Sequence, residues 1–156
     1  LLDIYHQRYE RQGRAIVIRT PPPMRILRSA GKGTFVACYE KEGPPDYVLL
    51  TAGKPVMAEA KECKGDRFPL KNLHAHQAKR LDEWEKQGGS GVVLLHHGGS
   101  RSAWVLPWRS FGPLWHRWHT QAALNRRAQA GTASLTLADL QRIGTPFDGD
   151  GYLSKV

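Results

Sequence analysis

The stretch that decides the fold is residues 46–63, DYVLLTAGKPVMAEAKEC, in which two apolar segments flank Ala52 and Gly53. Strand-forming residues on either side of a two-residue turn predict a β-hairpin. Pairing outward from this turn places Asp46 opposite Glu59. Directly opposed residues hold their Cβ atoms about 4.5–5.5 Å apart. The sequence therefore predicts two carboxylates facing each other across the ladder.

Two carboxylates at that separation repel each other unless a cation lies between them. Mg²⁺ prefers oxygen ligands and often takes one or two carboxylates together with water and phosphate. Lys61 follows Glu59 by two residues, so strand alternation puts its ammonium on the same face, while Val56 and Ala58 point the other way. This set suits metal-assisted phosphodiester hydrolysis, with Lys61 positioning the water or stabilising negative charge. Spacing alone leaves open a simple salt bridge among Asp46, Glu59 and Lys61 on an exposed hairpin.

The rest of the chain predicts a mixed α/β protein, a central sheet flanked by helices, formed as one domain over residues 1–156. A basic, hairpin-like excursion over about 20–45 begins with three prolines and turns at Gly31-Lys32-Gly33. The predicted helices cover 1–12, 70–87, 111–119, 121–130 and 137–143, and the predicted strands cover 15–18, 46–50, 55–63, 92–95 and 103–106.

Gln77 interrupts an otherwise apolar stripe on the helix predicted over 70–87. The stripe comprises Leu70, Leu73, Leu81 and Trp84 at helical spacing. A buried amide needs a hydrogen-bond partner, and the carboxylate face of the neighbouring strand would supply one. A partly exposed glutamine at the margin of the stripe is the alternative.

The charge balance indicates a polyanionic partner. The 23 Lys and Arg residues exceed the 14 Asp and Glu residues, giving a net charge of +9, and the phosphate backbone of nucleic acid is the commonest partner of such a protein. A protein that is merely basic is the alternative. No apolar run is long enough for a transmembrane helix and no secretory leader is visible. Cys38 and Cys63 fit no zinc or thioredoxin spacing, which predicts reduced core thiols in a cytoplasmic protein.

Three further stretches carry a resemblance to a known family. They are EAKE at 59–62, RFPLKNLHAHQ at 67–77 and AIVIRTPPP at 15–23. Together they resemble the RecU family of Holliday junction resolvases, and a weaker likeness continues through 92–108 to 152–153. The resemblance implies a restriction-endonuclease-like α/β fold with a short protruding basic β stalk. It also implies a metal-dependent endonuclease that makes paired cuts in four-way DNA junctions, leaving 5′-phosphate and 3′-hydroxyl ends.

The family's site residues carry over to particular positions of this chain. Asp46 and Glu59 become metal ligands for Mg²⁺, with Mn²⁺ as a substitute, Lys61 becomes the catalytic lysine, and Gln77 matches an active-site glutamine.

Two departures from the family pattern accompany these matches. Pro44 and Pro45 stand where the family has small hydroxyl residues. The family's glutamate on the first helix would fall just before Leu1, so we expect a truncated N-terminus, with Asp3 and Glu10 as poor substitutes for that glutamate.

The resemblance also implies that the stalk enters the centre of a branched DNA duplex. Candidate nucleic-acid ligands, each of which could instead be a solvated charge, are Arg19, Arg25, Arg28, Lys32, Lys64, Arg67, Lys71 and His74, and Lys79 and Arg80 flank the same site. The near two-fold symmetry of a junction predicts a homodimer, with tryptophans 104, 108, 115 and 118 at its interface. The location expected is the cytoplasm, or the host cytoplasm for a virus-encoded protein. The rival functions are a same-fold nuclease acting on linear duplex and a non-catalytic junction-binding recombination protein.

Overall fold

The computed structural model describes residues 2–39, 42–124 and 133–156. Its helices are α1 (Leu2–Arg11), α2 (Ala75–Lys86), α3 (Trp108–Leu124) and α4 (Leu137–Ile143). Its strands are β1 (Ile16–Arg19), β2 (Met24–Gly31), β3 (Thr34–Tyr39), β4 (Tyr47–Thr51), β5 (Lys54–Cys63), β6 (Arg67–Pro69), β7 (Ser90–His97), β8 (Ser102–Pro107), β9 (Ser134–Thr136) and β10 (Thr145–Phe147). Part of the helix predicted over 121–130 lies outside the described residues.

A six-stranded mixed sheet in the order β1-β4-β5-β7-β8-β10 forms the centre of the molecule. Strands β5 and β7 are parallel, and the other neighbouring pairs are antiparallel. Helix α1 covers one face with a core that includes Tyr5 and Tyr9, while α2, α3 and α4 cover the other. The predicted fold class, a mixed sheet flanked by helices with a protruding stalk, is confirmed. No helix in the described part of the chain is long and apolar enough to cross a membrane.

The hairpin of β4 and β5 forms in the predicted register. Thr51 pairs with Lys54, and the ladder continues to Tyr47 opposite Ala58. Ala52 and Gly53 both adopt positive φ, 47° and 77°. Positive φ at both central residues is the conformation that matches a two-residue turn to the twist of its strands. The central ladder is therefore set by a local turn.

Helix α2 begins later than predicted, at Ala75 instead of residue 70. Strand β6 pairs with β9, and the Leu70 N–H donates to the Ala133 carbonyl at 2.9 Å, which holds residues 70–72 in a short 3₁₀ turn. The indole of Trp115 donates to the carbonyls of Leu70 and Leu73. The predicted helical start is wrong because partners distant in sequence satisfy this backbone.

Two other predictions fail on burial. Trp104, Trp108 and Trp115 are buried in the core of their own chain, so the interface predicted for these three is wrong. Trp118 packs against that core but is only partly buried, and its place at an interface stays a prediction. Cys63 is a buried free thiol as expected, but Cys38 lies half-buried on β3 of the stalk and is not a core residue.

The stalk is a separate two-stranded antiparallel ribbon formed by β2 and β3, and every residue of β2 is exposed. Its turn has positive φ at residues 31–33, where the sequence has two glycines. The hairpin-like excursion predicted there is confirmed.

Candidate active site

Asp46 lies one residue before β4, next to the ladder position of Glu59. The last ladder pair is Tyr47 with Ala58, so the next opposed pair is Asp46 with Glu59. The carboxylate of Asp46 accepts a hydrogen bond from the Ala60 N–H at 2.8 Å. The predicted approach of the two acids across the hairpin is confirmed.

Glu59 is a buried carboxylate, only 2% exposed. The ammonium of Lys61 lies 2.9 Å from its Oε1, as strand alternation predicts, and the amide of Gln77 donates to the same oxygen. Burial raises the pKa of Glu59 to about 7; Lys61 opposes this shift and the nearby Asp46 adds to it. Near neutral pH the buried carboxylate of Glu59 is therefore stabilised either by binding a proton or by a positive charge next to it.

Gln77 links this carboxylate to the start of helix α2. Its Oε1 accepts the backbone N–H of His74, the residue that precedes the helix, at 3.0 Å. The side chain of the third helical residue often stabilises a helix in this way, by accepting the N–H of the residue that caps its N-terminus. The amide group of Gln77 is thereby left to point at Glu59. The partner predicted for Gln77, a carboxylate of the neighbouring strand, is confirmed.

Thr20 holds the backbone on both sides of the Asp46 peptide unit. Its N–H donates to the Asp46 carbonyl at 3.0 Å, and its hydroxyl donates to the Pro45 carbonyl. Sequence reasoning missed this residue, because its only signal was its place between strand β1 and the three prolines. The hydroxyl that contacts the backbone just before Asp46 therefore comes from Thr20, the residue that follows the neighbouring strand β1.

The donor set suits a hard divalent cation. Asp46 and Glu59 supply carboxylate oxygens on one face of the sheet, and a cation between them would relieve both their mutual repulsion and the burial of Glu59. Within the described residues, no group of three or more His, Cys, Asp or Glu side chains is placed to hold a metal ion. These two carboxylates would thus share the cation with water and substrate oxygens.

The two other acids considered from the sequence have partners of their own. Asp3, in the first turn of α1, accepts the Tyr47 hydroxyl at 3.4 Å and lies 3.7 Å from the Arg19 guanidinium. Glu10 accepts the backbone N–H of Val17 at 3.4 Å. The first turn of α1 therefore lies beside the residue that follows Asp46, whereas Glu10 is directed at strand β1.

The predicted nucleic-acid ligands fall into three exposed groups. Arg19 ends strand β1; Arg25, Arg28 and Lys32 lie on the stalk; and Lys64, Arg67, Lys71 and His74 lie between the end of β5 and the start of α2. Arg67 also donates to the Ser134 hydroxyl at 2.7 Å, which ties it to strand β9. The third group continues the chain from the strand that carries Glu59 and Lys61.

Two arginines of the stalk lie on the same face, together with Cys38 and Val36. Arg25 pairs with Cys38 and Arg28 with Val36, so both arginines share one face although they are three residues apart. A register shift between Ile26 and Arg28 accounts for this. The extra residue of a β-bulge has no ladder partner, so the residue after it points to the face opposite to that of the residue before it. The opposite face presents exposed apolar side chains from both strands: Met24, Ile26, Phe35 and Tyr39.

Asp46, Glu59 and Lys61 thus share one face of the central hairpin, with two carboxylates beside one ammonium. The chain belongs to the RecU family, described as Recombination protein U, which matches residues 1–141.

Proteins named Holliday junction resolvase RecU are similar to this chain over much of its length. That of Streptococcus pneumoniae is 29% identical over 113 residues, covering 69% of this chain and 57% of the relative. That of Bacillus pumilus is 33% identical over 123 residues, covering 74% and 58%. That of Geobacillus thermodenitrificans is 26% identical over 149 residues, covering 92% and 70%. The chain thus spans little more than half the length of the streptococcal relative.

One solved structure, of the Holliday junction resolvase Hjc from Archaeoglobus fulgidus, shares 15% identity with this chain and a TM-score of 0.44. The comparison covers 87% of this chain and 92% of that one.

Proposed function

We propose that this chain is an Mg²⁺-dependent, structure-selective endonuclease that resolves four-way DNA junctions by paired phosphodiester hydrolysis. The observation that carries the proposal is the meeting of Asp46, Glu59 and Lys61 on one face of the central hairpin, with Gln77 holding Glu59. The names of the relatives, Holliday junction resolvase RecU, support junction DNA as the substrate.

The four residues divide the chemistry between them. Asp46 and Glu59 would hold Mg²⁺, with Mn²⁺ as a substitute. When bound, the ion would supply Lewis-acid stabilisation of the phosphate and activate water. Gln77 fixes one oxygen of Glu59, which limits the orientations of that carboxylate.

Lys61 has two tasks in this proposal. In the absence of a cation its ammonium neutralises Glu59 at 2.9 Å. Once positive charge is bound between the carboxylates, the same ammonium is free to hold the scissile phosphate or the attacking water. A point charge on a flexible stem suits both tasks.

Positive charge on the exposed surface supports a DNA substrate. The net charge is +9, and the basic face of the stalk carries Arg25 and Arg28. We assign phosphate contacts to the residues predicted from the sequence: Arg19, Arg25, Arg28, Lys32, Lys64, Arg67, Lys71 and His74. Contacts of this kind position the duplex arms and make binding depend steeply on salt. A cytoplasmic location fits this activity.

A homodimer completes the proposal. A four-way junction has near two-fold symmetry and needs two paired cuts, which a two-fold dimer with two equivalent sites provides. The apolar face of the stalk is exposed, and Ile16, Ile18 and Leu50 form a further exposed apolar area at the edge of the sheet. Contiguous apolar surface of this kind is typical of protein–protein contacts. A second copy of the chain would cover it and leave the arginine face for DNA.

Cleavage assays on a labelled four-way junction and on its matched linear arms test the function. We expect paired nicks in the junction with Mg²⁺ and none in EDTA, and at least a hundredfold loss of rate in Asp46→Asn and Lys61→Ala, because each removes a charge that the reaction uses. Glu62→Gln, an exposed acid on the opposite face of β5, serves as the matched control and should cut normally.

Three outcomes would contradict the proposal. Equal cutting of the linear arms would identify a same-fold nuclease for duplex DNA. Tight junction binding without cleavage would identify a non-catalytic recombination protein. Wild-type rates in Asp46→Asn or Lys61→Ala would show that the assigned site is wrong.

A further inference from the structure

A cavity of about 410 Å³ opens beside the carboxylates, on the Glu59 side of the sheet. Met57 lines it, two residues before Glu59 and on the same face of β5, so roughly 7 Å of strand separates the two. Residues 42–45, the segment that leads directly into Asp46, line it as well. The cavity therefore adjoins the site along the strand and along the chain.

Helix α2 contributes His76 and Arg80 to the polar lining of this cavity. These residues are four apart, so they lie on one face of the helix. The family resemblance gives neither residue a role, although His76 lies in the family-like stretch 67–77 and Arg80 flanks the predicted nucleic-acid site. His76 is also within the first turn of α2, where backbone N–H groups lack helical acceptors and the helix dipole favours an anion.

The guanidinium of Arg80 is available for a ligand. Its present partner is Glu83, at 3.2 Å, in an ion pair whose side chains are 63% and 45% exposed. Exposed pairs of this kind contribute little free energy, so an anion in the cavity can replace Glu83. Arginine presents a planar fork of donors that matches two phosphate oxygens. Glu42, the acidic member of the lining, is exposed at the rim.

We propose that this cavity binds the DNA phosphate adjacent to the scissile one, with Arg80 and His76 as its ligands. The inference rests on the proposed nuclease function and deepens it. A strand whose scissile phosphate lies between Asp46 and Glu59 has its neighbouring phosphate about one strand dipeptide away, a step comparable to that from Glu59 to Met57 in the cavity wall. Holding two successive phosphates would fix the direction of the cleaved strand across the site.

The chain provides a matched control at the adjacent position. Lys79 and Arg80 are both exposed cations on α2, and both lie near the carboxylate of Glu83, at 3.8 Å and 3.2 Å. Only Arg80 of the two lines the cavity. Lys79→Ala and Arg80→Ala therefore remove the same charge from neighbouring positions and differ in access to the proposed phosphate.

Binding of an uncleaved four-way junction in EDTA, measured over a range of salt, is the first assay. We expect Arg80→Ala to weaken binding about tenfold more than Lys79→Ala, the effect of one lost charge-assisted contact. The slope of log affinity against log salt should fall by about 0.9 in Arg80→Ala, the value for one phosphate contact. His76→Ala should show a smaller loss, and Glu42→Gln a gain.

A junction with one uncharged methylphosphonate linkage next to the cleavage site gives the decisive comparison. The neutral linkage should weaken binding by wild type and Lys79→Ala, but cause a much smaller loss in Arg80→Ala, because only the His76 contact with that phosphate then remains. An equal loss in all three proteins, or equal binding by the two alanine variants, would overturn the proposed phosphate site. Failure of the nuclease proposal would give a different result, namely a wild-type protein that does not cut the junction at all.

Discussion

Replacing Glu59 with glutamine should change how stability depends on pH. Burial raises the pKa of this carboxyl from an ordinary value of 4.5 to about 7. The folded protein therefore binds the proton more tightly than the unfolded chain, so this stabilisation is complete below pH 4.5 and is lost as the pH rises to 7. At about 1.36 kcal/mol per pH unit the full effect is about 3 kcal/mol, most of which falls between pH 5 and pH 8.

Urea unfolding in EDTA, at intervals from pH 5 to pH 8, measures this effect. Glutamine keeps the shape of the side chain and has no proton to lose, so it stays neutral over this pH range. The unfolding free energy of Glu59→Gln relative to wild type should therefore rise by about 2–3 kcal/mol across that range. Glu62→Gln, whose side chain is 67% exposed in the wild type, should show a nearly constant difference. Subtracting the wild-type curve removes the titration of groups common to both proteins.

Addition of Mg²⁺ provides an independent check on the same carboxylate. At pH 8 a cation bound only by the folded protein stabilises it by about 2.7 kcal/mol at one hundred times its dissociation constant. Wild type should gain this stability, and Glu59→Gln should gain much less. A pH-independent difference between Glu59→Gln and wild type in EDTA would refute the argument that burial controls this carboxyl.

Three further changes test the supports of the site and the stalk. Gln77→Leu should lower the unfolding free energy by about 1–3 kcal/mol, since it removes the donor to Glu59 and the acceptor at the start of α2; urea unfolding measures this. Thr20→Val should weaken Mg²⁺ binding about tenfold, by calorimetric titration, because the backbone before Asp46 loses a support, and Thr20→Ser should restore it. Phe35→Asp should convert the proposed dimer to monomer in sedimentation equilibrium, because it places a charge on the apolar face of the stalk.

Each of these expectations has a result that would contradict it. Unchanged stability in Gln77→Leu would mean that its two hydrogen bonds are replaced by water. Equal Mg²⁺ affinity in the valine and serine variants at position 20 would show that the Thr20 hydroxyl does not position Asp46. A Phe35→Asp protein with wild-type mass in solution would exclude the stalk face from the dimer contact, while Arg28→Ser on the other face should leave the mass unchanged in any case.

Local patterns predicted the hairpin well and the start of α2 poorly. Ala52 and Gly53 fix the register between their own flanking strands, so Asp46 and Glu59 could be paired from spacing alone. The segment from Leu70 to Leu73 has the helical period, yet its backbone bonds to Ala133 and Trp115, far away in the chain. The strands β6, β9 and β10 have only three residues each, too few for a periodic pattern, and the strands they pair with are also distant in sequence.

The face of the stalk that carries each arginine also lay beyond the sequence. Strict alternation would place Arg25 and Arg28 on opposite faces, and a bulge that depends on the pairing with β3 puts them together. The sequence established their charge and exposure, and the pairing established their common direction.

The amino-acid sequence by itself determined which side chains share the central hairpin and on which face each lies, because a tight turn and a period of two are local properties of a chain. Only the tertiary structure decided that Glu59 is buried with a raised pKa, that Gln77 donates to it rather than lying at the exposed margin of its stripe, and that His76 and Arg80 open onto a cavity beside it. Those features arise where segments far apart in sequence pack together, and packing depends on the whole chain.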